Sequence, residues 1–187
     1  MLAEGRIATL RQDTVQLPDG RAVQREVVEH PGAVAVVALD SRDRVLMIRQ
    51  YRHPVGAMLW EIPAGLRDVA GEPLLATAQR ELLEEAGCLA KDWHVLSDYL
   101  SSPVISTERL RVYLASDLSM VPAGQREYVQ HDEEAYLTVA WVPLADAVQR
   151  VLSGGLHNGP AIVGILSAYA AHREGLVLRP ADEPENL

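Results

Sequence analysis

The sequence predicts an α/β protein in which a mixed sheet lies between helical layers, preceded by an N-terminal antiparallel β-hairpin. Residues 32–39 (GAVAVVAL) form a continuous apolar run, which is typical of a strand buried on both faces. Residues 160–173 carry an apolar stripe at helical spacing. Residues 7–17 and 21–30 are extended runs joined by Pro18-Asp19-Gly20, which is a hairpin signal. Strands and helices in this order indicate three layers, α/β/α.

The remaining elements follow from the same patterns. Residues 54–59 are predicted to form a loop, and residues 118–134 a polar connection that is long enough to suggest a function. Further strands are predicted at 44–51, 60–62, 93–100, 109–116 and 135–142, and further helices at 73–86 and 144–153.

Length and composition favour one folded domain with an extension. The 187 residues are 48% apolar, which is enough to bury a core. We expect residues 1–30 to form the hairpin extension, residues 31–176 the main domain and residues 177–187 a polar tail, of which ADEPENL (181–187) is frayed.

Charge and cysteine content exclude several classes of partner. The net charge of −9 argues against a nucleic-acid backbone or an anionic membrane as the main partner. The single cysteine excludes an internal disulfide and fits a reducing cytoplasm. The first residues have no apolar core of signal-peptide length, and no stretch approaches the roughly 20 apolar residues of a membrane span. We therefore expect a cytoplasmic protein.

The predicted helix at 73–86 organises the sequence. Pro73 suits the first helical position, Glu72 places a negative charge at the helix N-terminus, and Gly87 provides the stop. One stripe of this helix would face a core: Leu75, Ala78, Leu82 and Ala86.

The opposite face of the same helix carries three acids. Glu81, Glu84 and Glu85 fall within about 100° of arc, where their charges repel one another. A hard divalent cation such as Mg²⁺ would relieve that repulsion, and Arg80 stands where it can orient one carboxylate. The competing interpretation is a solvated acidic face, which is the usual fate of such a run.

The surrounding pattern resembles the Nudix box, the signature of hydrolases that cleave nucleoside diphosphates linked to another group. The sequence departs from it at two places. Six residues instead of five precede Glu72 in the loop, and Cys88 stands where an aliphatic residue is usual. The extra residue lies before the helix, so we expect the helical register to be intact. The matching residues are Gly65, Glu72, Arg80, Glu81, Leu82, Glu84, Glu85 and Gly87.

Over nearly its whole length the chain is similar to the ADP-ribose pyrophosphatase subgroup of this family. Pro103 lies sixteen residues after Gly87, a spacing that marks the subgroup. The segment LWEIPAGLRDVAGEP, the acidic HDEEA loop before a strand, and the N-terminal hairpin also match. Val104 departs from the usual Ser-Pro-Gly, which bears on the shape of a ribose pocket. The resemblance implies an α/β/α sandwich that hydrolyses ADP-ribose to AMP and ribose 5-phosphate with two or three Mg²⁺ or Mn²⁺ ions.

The resemblance also implies roles for residues in the box and the acidic loop. Glu81 and Glu85 would ligate metal, with the Ala64 carbonyl as a further ligand and Glu84 assisting. Glu134, or else Glu133, would bind metal and activate water. The catalytic set would therefore be Glu134, Glu133, Glu84 and Arg80.

Substrate contacts are implied for Arg52 at the diphosphate, for Glu108 at the terminal ribose, and for Glu61, Ser102 and Pro103. Local sequence alone leaves alternatives open. Arg52 is equally well explained as a rim charge, Ala64 as part of a simple turn, and the hydroxyls of residues 101–108 are better explained as caps of local turns.

The resemblance further implies a homodimer in which exchanged N-terminal strands complete the adenine pocket. Three other functions compete with this interpretation: a Nudix pyrophosphatase for nucleotide sugars or dinucleotides, a non-catalytic ADP-ribose-binding module, and a structural protein with a solvated acidic helix. The complete set of box carboxylates argues against the binding module, and metal-dependent thermal stabilisation would argue against the structural protein.

Overall fold

The computed structural model of the protein describes residues 1–122 and 137–185. Its strands are β1 (Ala3–Glu4), β2 (Thr9–Gln16), β3 (Ala22–Glu29), β4 (Ala33–Ala38), β5 (Arg44–Arg52), β6 (Ala57–Glu61), β7 (Ala64–Leu66), β8 (Cys88–Leu100), β9 (Arg109–Met120), β10 (Thr138–Pro143) and β11 (Arg179–Pro180). Its helices are α1 (Leu74–Ala86), α2 (Leu144–Leu152) and α3 (Gly159–Glu174), with a short 3₁₀ turn at His53–Val55.

A five-stranded mixed sheet in the order β11-β8-β9-β4-β7 forms the centre of the protein. Strands β4 and β9 run parallel, and the other neighbours are antiparallel. Strands β10-β5-β6 form a second, antiparallel sheet, and β1-β2-β3 form a third. The mixed sheet and the hairpin extension are thus confirmed.

Strand β4 explains the layers. All six of its residues are buried, because its two faces serve two different cores. Val34, Val36 and Ala38 pack with the apolar stripe of α1, whereas Ala35 and Val37 pack with residues of α2 and α3. The predicted three-layer α/β/α arrangement is therefore confirmed.

Helix α1 occupies the predicted position with one difference at its start. Pro73 is the N-cap, with an extended backbone (φ −62°, ψ 142°), and not the first helical residue. Gly87 ends the helix in the left-handed conformation with φ 61°, as expected. Arg80 to Glu85 lie in one unbroken helix, so the extra loop residue leaves their register intact.

Several strands differ from their predicted bounds. Strand β6 begins at Ala57, inside the predicted 54–59 loop, and β7 occupies the predicted turn. Strands β8 and β9 form a hairpin longer than predicted, because residues 88–92 of β8 pair with residues 116–120 of β9. The register of β8 contains a bulge between Val95 and Ser97, so that Leu96 is the extra residue.

We expect residues 181–187 to be frayed, but residues 181–185 are held by defined contacts. Strand β11 pairs with β8, the Glu183 carbonyl accepts a hydrogen bond from Arg111, and Glu185 contacts Arg67. Over residues 1–122 and 137–185, no helix is long and apolar enough to cross a membrane.

Candidate active site

The acidic face of α1 is covered by protein. Glu81 and Glu85 are only 9% and 5% exposed. Strand β7 lies against them, and Gly65 leaves the room they need, because a Cβ there would overlap the Glu81 carboxylate. The interpretation of this face as a solvated acidic surface is therefore wrong.

Arg80 organises the acids around it. Its Nε and Nη2 donate to the two carboxylate oxygens of Glu72, at 3.2 and 3.1 Å. Its Nη1 donates to Glu81 Oε1 at 2.7 Å and to Glu84 Oε2 at 3.3 Å. Glu72 also accepts from Thr77 Oγ1 at 2.9 Å. Arg80 thus orients three carboxylates, where the sequence had suggested one.

These contacts keep Glu72 and Arg80 ionised near neutral pH. The hydrogen bond from Arg80, followed by that from Thr77, holds the pKa of Glu72 below its ordinary value. The same hydrogen bond raises the pKa of Arg80 although burial opposes it. Four carboxylates (Glu72, Glu81, Glu84 and Glu85) against one guanidinium leave a formal excess of three negative charges, because 4 − 1 = 3.

Ala64 presents its backbone to this acidic cluster. It lies opposite Ala35 in the pairing of β4 with β7, and the neighbouring Val36 N–H donates to the Pro63 carbonyl at 2.8 Å. In such a register the N–H and C=O of Ala64 both point away from β4. The N–H donates to Glu85 Oε2 at 2.9 Å, so the Ala64 carbonyl projects from the same edge.

The donor set fits a hard divalent cation. Mg²⁺ and Mn²⁺ prefer carboxylate and carbonyl oxygens, and Glu81, Glu85 and Ala64 supply both kinds. Buried carboxylates with an excess of negative charge also need a compensating cation. In the part of the chain that the structure describes, no three acidic, histidine or cysteine side chains suffice to hold a metal ion alone. A cation here would therefore require the Ala64 carbonyl or donors outside those residues.

A second polar group lies where β5 and β6 pair. Glu61 is 1% exposed and accepts from Arg52 through two bonds, Nε–Oε1 at 2.9 Å and Nη2–Oε2 at 2.6 Å. Gln50 Nε2 donates to the same carboxylate at 3.3 Å. The Arg52 guanidinium is thus held in place by a buried carboxylate, and 39% of its side chain remains exposed.

A third group lies in the loop before β9. The Glu108 carboxylate accepts from Ser101 Oγ and lies 3.6 Å from His30 Nδ1. The Ser102 carbonyl accepts from two backbone N–H groups of a tight turn, and Ser106 Oγ accepts from the Glu108 N–H. The interpretation of these hydroxyls as caps of local turns is thus confirmed for Ser106. Ser102 and Pro103 are exposed.

The topology relates the three groups in pairs. Glu61 precedes Ala64 by three residues, which makes the first two groups neighbours along the chain. Leu66 and Leu110 both pair with Ala33, so Glu108 lies at the same end of the central sheet as β7, two strands away. Glu133 and Glu134 lie outside the described residues.

Comparison with known proteins decides the family. The chain matches the NUDIX domain over residues 22–160, which is well over half of its length. The chain belongs to the Nudix family. Members of this family generally use divalent metal ions.

Two relatives of this Nudix protein cover most of its length. It is 49% identical to an ADP-ribose pyrophosphatase of Mycobacterium tuberculosis over 181 residues, 97% of this chain and 86% of the relative. It is 36% identical to an ADP-ribose pyrophosphatase of Bacillus subtilis over 161 residues, 86% of this chain and 84% of the relative.

A solved structure supports the fold. The Nudix protein aligns with the crystal structure of an ADP compounds hydrolase at a TM-score of 0.76, covering 94% of this chain and 92% of the other. The two sequences are 23% identical, so this likeness concerns the fold.

Gly65 of the Nudix box gives a sharp prediction. We expect Gly65→Ala to lower the metal-dependent hydrolytic rate about 100-fold, because the new methyl group would overlap Glu81 Oε1 and must displace either Glu81 or β7 by about 1 Å or more. Overpacking should reduce the free energy of unfolding by about 1–3 kcal/mol. Steady-state kinetics and thermal unfolding would measure both effects. Gly159→Ala is the matched control, since no atom lies within 4 Å of a Cβ there. An unchanged rate in Gly65→Ala would contradict the proposed site geometry.

Sequence reasoning missed two residues of the site. Gln50 binds the buried Glu61, and His30 joins the hairpin extension to Glu108. The alternation of side chains along β5 could have indicated that Gln50 is buried, because it follows Ile48 by two residues and points to the same face. His30 had no local signal, because its partner is 78 positions away, the difference between 108 and 30.

Proposed function

We propose that the protein hydrolyses ADP-ribose to AMP and ribose 5-phosphate in a reaction that requires Mg²⁺ or Mn²⁺, with two or three ions bound. The observation that carries this proposal is the buried carboxylate pair Glu81 and Glu85 beside the Ala64 backbone, within a Nudix box. The substrate is supported by the relatives named ADP-ribose pyrophosphatase, one of them 49% identical.

The metal site would be formed by Glu81, Glu85 and the Ala64 carbonyl, with Glu84 and Glu134 as further donors. When bound, the ions supply charge neutralisation for the diphosphate and acidify water. Arg80 keeps Glu81 and Glu84 in place and stays protonated throughout the working pH range. Its role would be to hold the ligands in one geometry before substrate arrives, which is the main contribution a protein makes to phosphoryl chemistry.

Glu134, or else Glu133, would take the proton from the attacking water. The water oxygen forms a bond to one phosphorus, and the bond from that phosphorus to the bridging oxygen breaks. The bridging oxygen leaves with the other phosphate.

The second and third polar groups would recognise the substrate. Arg52 would contact the diphosphate, with Glu61 holding its guanidinium from the buried side. Glu108 would accept hydrogen bonds from the terminal ribose, beside Ser102 and Pro103. Val104 is 92% exposed, so its replacement of glycine leaves the turn itself unobstructed.

We place the protein in the cytoplasm as a homodimer, with neither a nucleic acid nor a membrane as partner. Exposed apolar side chains in the hairpin extension support an association with a second copy. Met1, Leu2, Ile7 and Val15 are 81%, 53%, 47% and 41% exposed. An exchange of N-terminal strands would cover them and complete the adenine side of the pocket. Residues 1–30, 31–176 and 177–187 would then be the extension, the catalytic domain and the tail.

A panel of diphosphates with Mg²⁺ tests the proposal. We expect kcat/KM for ADP-ribose to exceed that for a nucleotide sugar and for a dinucleotide by about tenfold or more, equivalent to about 1.4 kcal/mol in the transition state. AMP and ribose 5-phosphate should appear in equal amounts, and a chelator should stop the reaction. A preference for another diphosphate would support the broader pyrophosphatase. Binding of ADP-ribose without product would support the non-catalytic module.

A further inference from the structure

The C-terminal segment, residues 179–185, is attached to a buried ion pair of the central sheet. Asp98 and Arg111 lie directly opposite each other on β8 and β9, and their side chains are 8% and 3% exposed. Arg179 donates to the same carboxylate at 2.8 Å, and Arg111 Nη1 donates to the Glu183 carbonyl. The segment is therefore anchored on both sides of residue 181.

Beyond this anchor the segment reaches the loop that leads into α1. Arg67 Nη1 lies 3.0 and 3.2 Å from the two carboxylate oxygens of Glu185. The two side chains are 26% and 14% exposed, so the pair is better shielded than an ordinary surface ion pair. Arg67 is the first residue after β7, and its N–H donates to the Gly32 carbonyl at 3.1 Å.

The loop has little apolar packing on either side, and its Val69 side chain is 53% exposed. A cavity of about 350 Å³ separates the start of α1 from the C-terminal segment and is lined by Pro73, Leu74 and residues 181–185. A second cavity of about 640 Å³ lies between the loop and the hairpin extension, lined by Arg6, Ile7 and Asp68 among others. Apolar packing therefore does not fix this loop, and the Arg67–Glu185 ion pair contributes more to its position than it would in a well-packed loop.

The position of the loop matters because the loop contains Glu72. Glu72 receives two hydrogen bonds from Arg80, and Arg80 in turn holds Glu81 and Glu84. A displacement of the loop moves Glu72 and withdraws the acceptor that fixes the Arg80 guanidinium. Contacts thus run from Glu185 through Arg67 and the loop to the carboxylates of the active site.

We propose that Glu185 and Arg67 are positioning residues: their ion pair fixes the 67–73 loop and thereby the orientation of Arg80 for catalysis. Neither residue needs to touch the substrate. The catalytic part of this proposal rests on the proposed function, whereas the structural part does not.

The test compares Glu185→Gln, Arg67→Glu and the exchanged pair Arg67→Glu/Glu185→Arg with Asp182→Asn, an exposed acid in the same segment. Hydrogen–deuterium exchange over residues 66–80 is measured on metal-free protein. The values of kcat and KM are measured with ADP-ribose and Mg²⁺. We expect each single variant to exchange about tenfold faster there. Their kcat should fall about tenfold, with KM changed less than about twofold. The exchanged pair should recover most of both losses, and Asp182→Asn should match the wild type.

Each outcome decides a different claim. Unchanged exchange in both single variants would overturn the proposal, and so would faster exchange with an unchanged kcat in an active enzyme. Failure of the exchanged pair to recover kcat while thermal unfolding is normal would also overturn it. If the wild type does not hydrolyse ADP-ribose, the proposed function fails, and exchange over residues 66–80 still decides whether the ion pair fixes the loop.

Discussion

Replacing Glu85 or Glu81 by glutamine is expected to lower Mg²⁺-dependent turnover by at least about 100-fold, equivalent to about 2.7 kcal/mol of transition-state stabilisation. Glutamine keeps the shape of the side chain, and its carbonyl oxygen retains the hydrogen bond that Glu85 accepts from Ala64. The negative charge that a divalent cation needs is lost. Circular dichroism should show an intact fold, and calorimetry with Mn²⁺ should show weakened binding.

Glu174→Gln provides the matched control, because Glu174 is an exposed acid at the end of α3. It should turn over at the wild-type rate and bind Mn²⁺ normally. Near-normal rates in both Glu81→Gln and Glu85→Gln would reject α1 as the metal site, and with it the proposed chemistry.

Asp98→Asn is expected to reduce the free energy of unfolding by about 3–5 kcal/mol, because it leaves the buried Arg111 guanidinium without its opposite charge. The midpoint of thermal unfolding should fall by about 6–20 °C for a chain of this size. Urea unfolding at pH 7 would measure the loss. Asp92→Asn, an exposed change on the same strand, should leave the free energy of unfolding within about 0.5 kcal/mol of the wild type.

The destabilisation by Asp98→Asn should depend on pH. Burial alone would raise the pKa of Asp98, but hydrogen bonds from Arg111 and Arg179 outweigh it and hold the pKa below its ordinary value of 3.8. A carboxyl whose pKa is depressed by folding stabilises the protein above its unfolded pKa and loses that effect as the pH falls through its folded pKa. The difference between wild type and variant should therefore be constant from neutral pH down to about pH 5 and shrink below 3.8. A difference that grows on acidification would contradict this account.

Most of helix α1 could be predicted because its signals are local. The stop at Gly87, the apolar stripe and the acid spacing are all read within one helix, and the structure confirms them. The start was misplaced by one residue because Pro73 is compatible with both the cap and the first turn.

The surroundings of that helix could not be predicted, because they depend on contacts between distant parts of the chain. The burial of Glu81 is produced by β7, a three-residue strand that has no alternating pattern to reveal it. Arg67 and Glu185 are 118 residues apart, and nothing near either one indicates its partner. The pairing of Arg52 with Glu61 is a local contact, because both residues lie in the β5–β6 hairpin. Predicting it would have required the correct strand bounds.

The bulge at Leu96 has a consequence for protein engineering. Before it Val95 faces the α1 core, and after it Asp98 again turns to that side while Tyr99 packs in the α3 core. A strand taken from a relative to replace β8 must have the same length and must also contain the bulge residue. A regular strand of equal length would move every side chain beyond that point to the opposite face of the sheet. The carboxylate at position 98 would then meet the aliphatic side chains of the α3 core, and the Tyr99 phenol would lie on the face of Arg111. Chimeras are therefore best cut outside the β8–β9 hairpin.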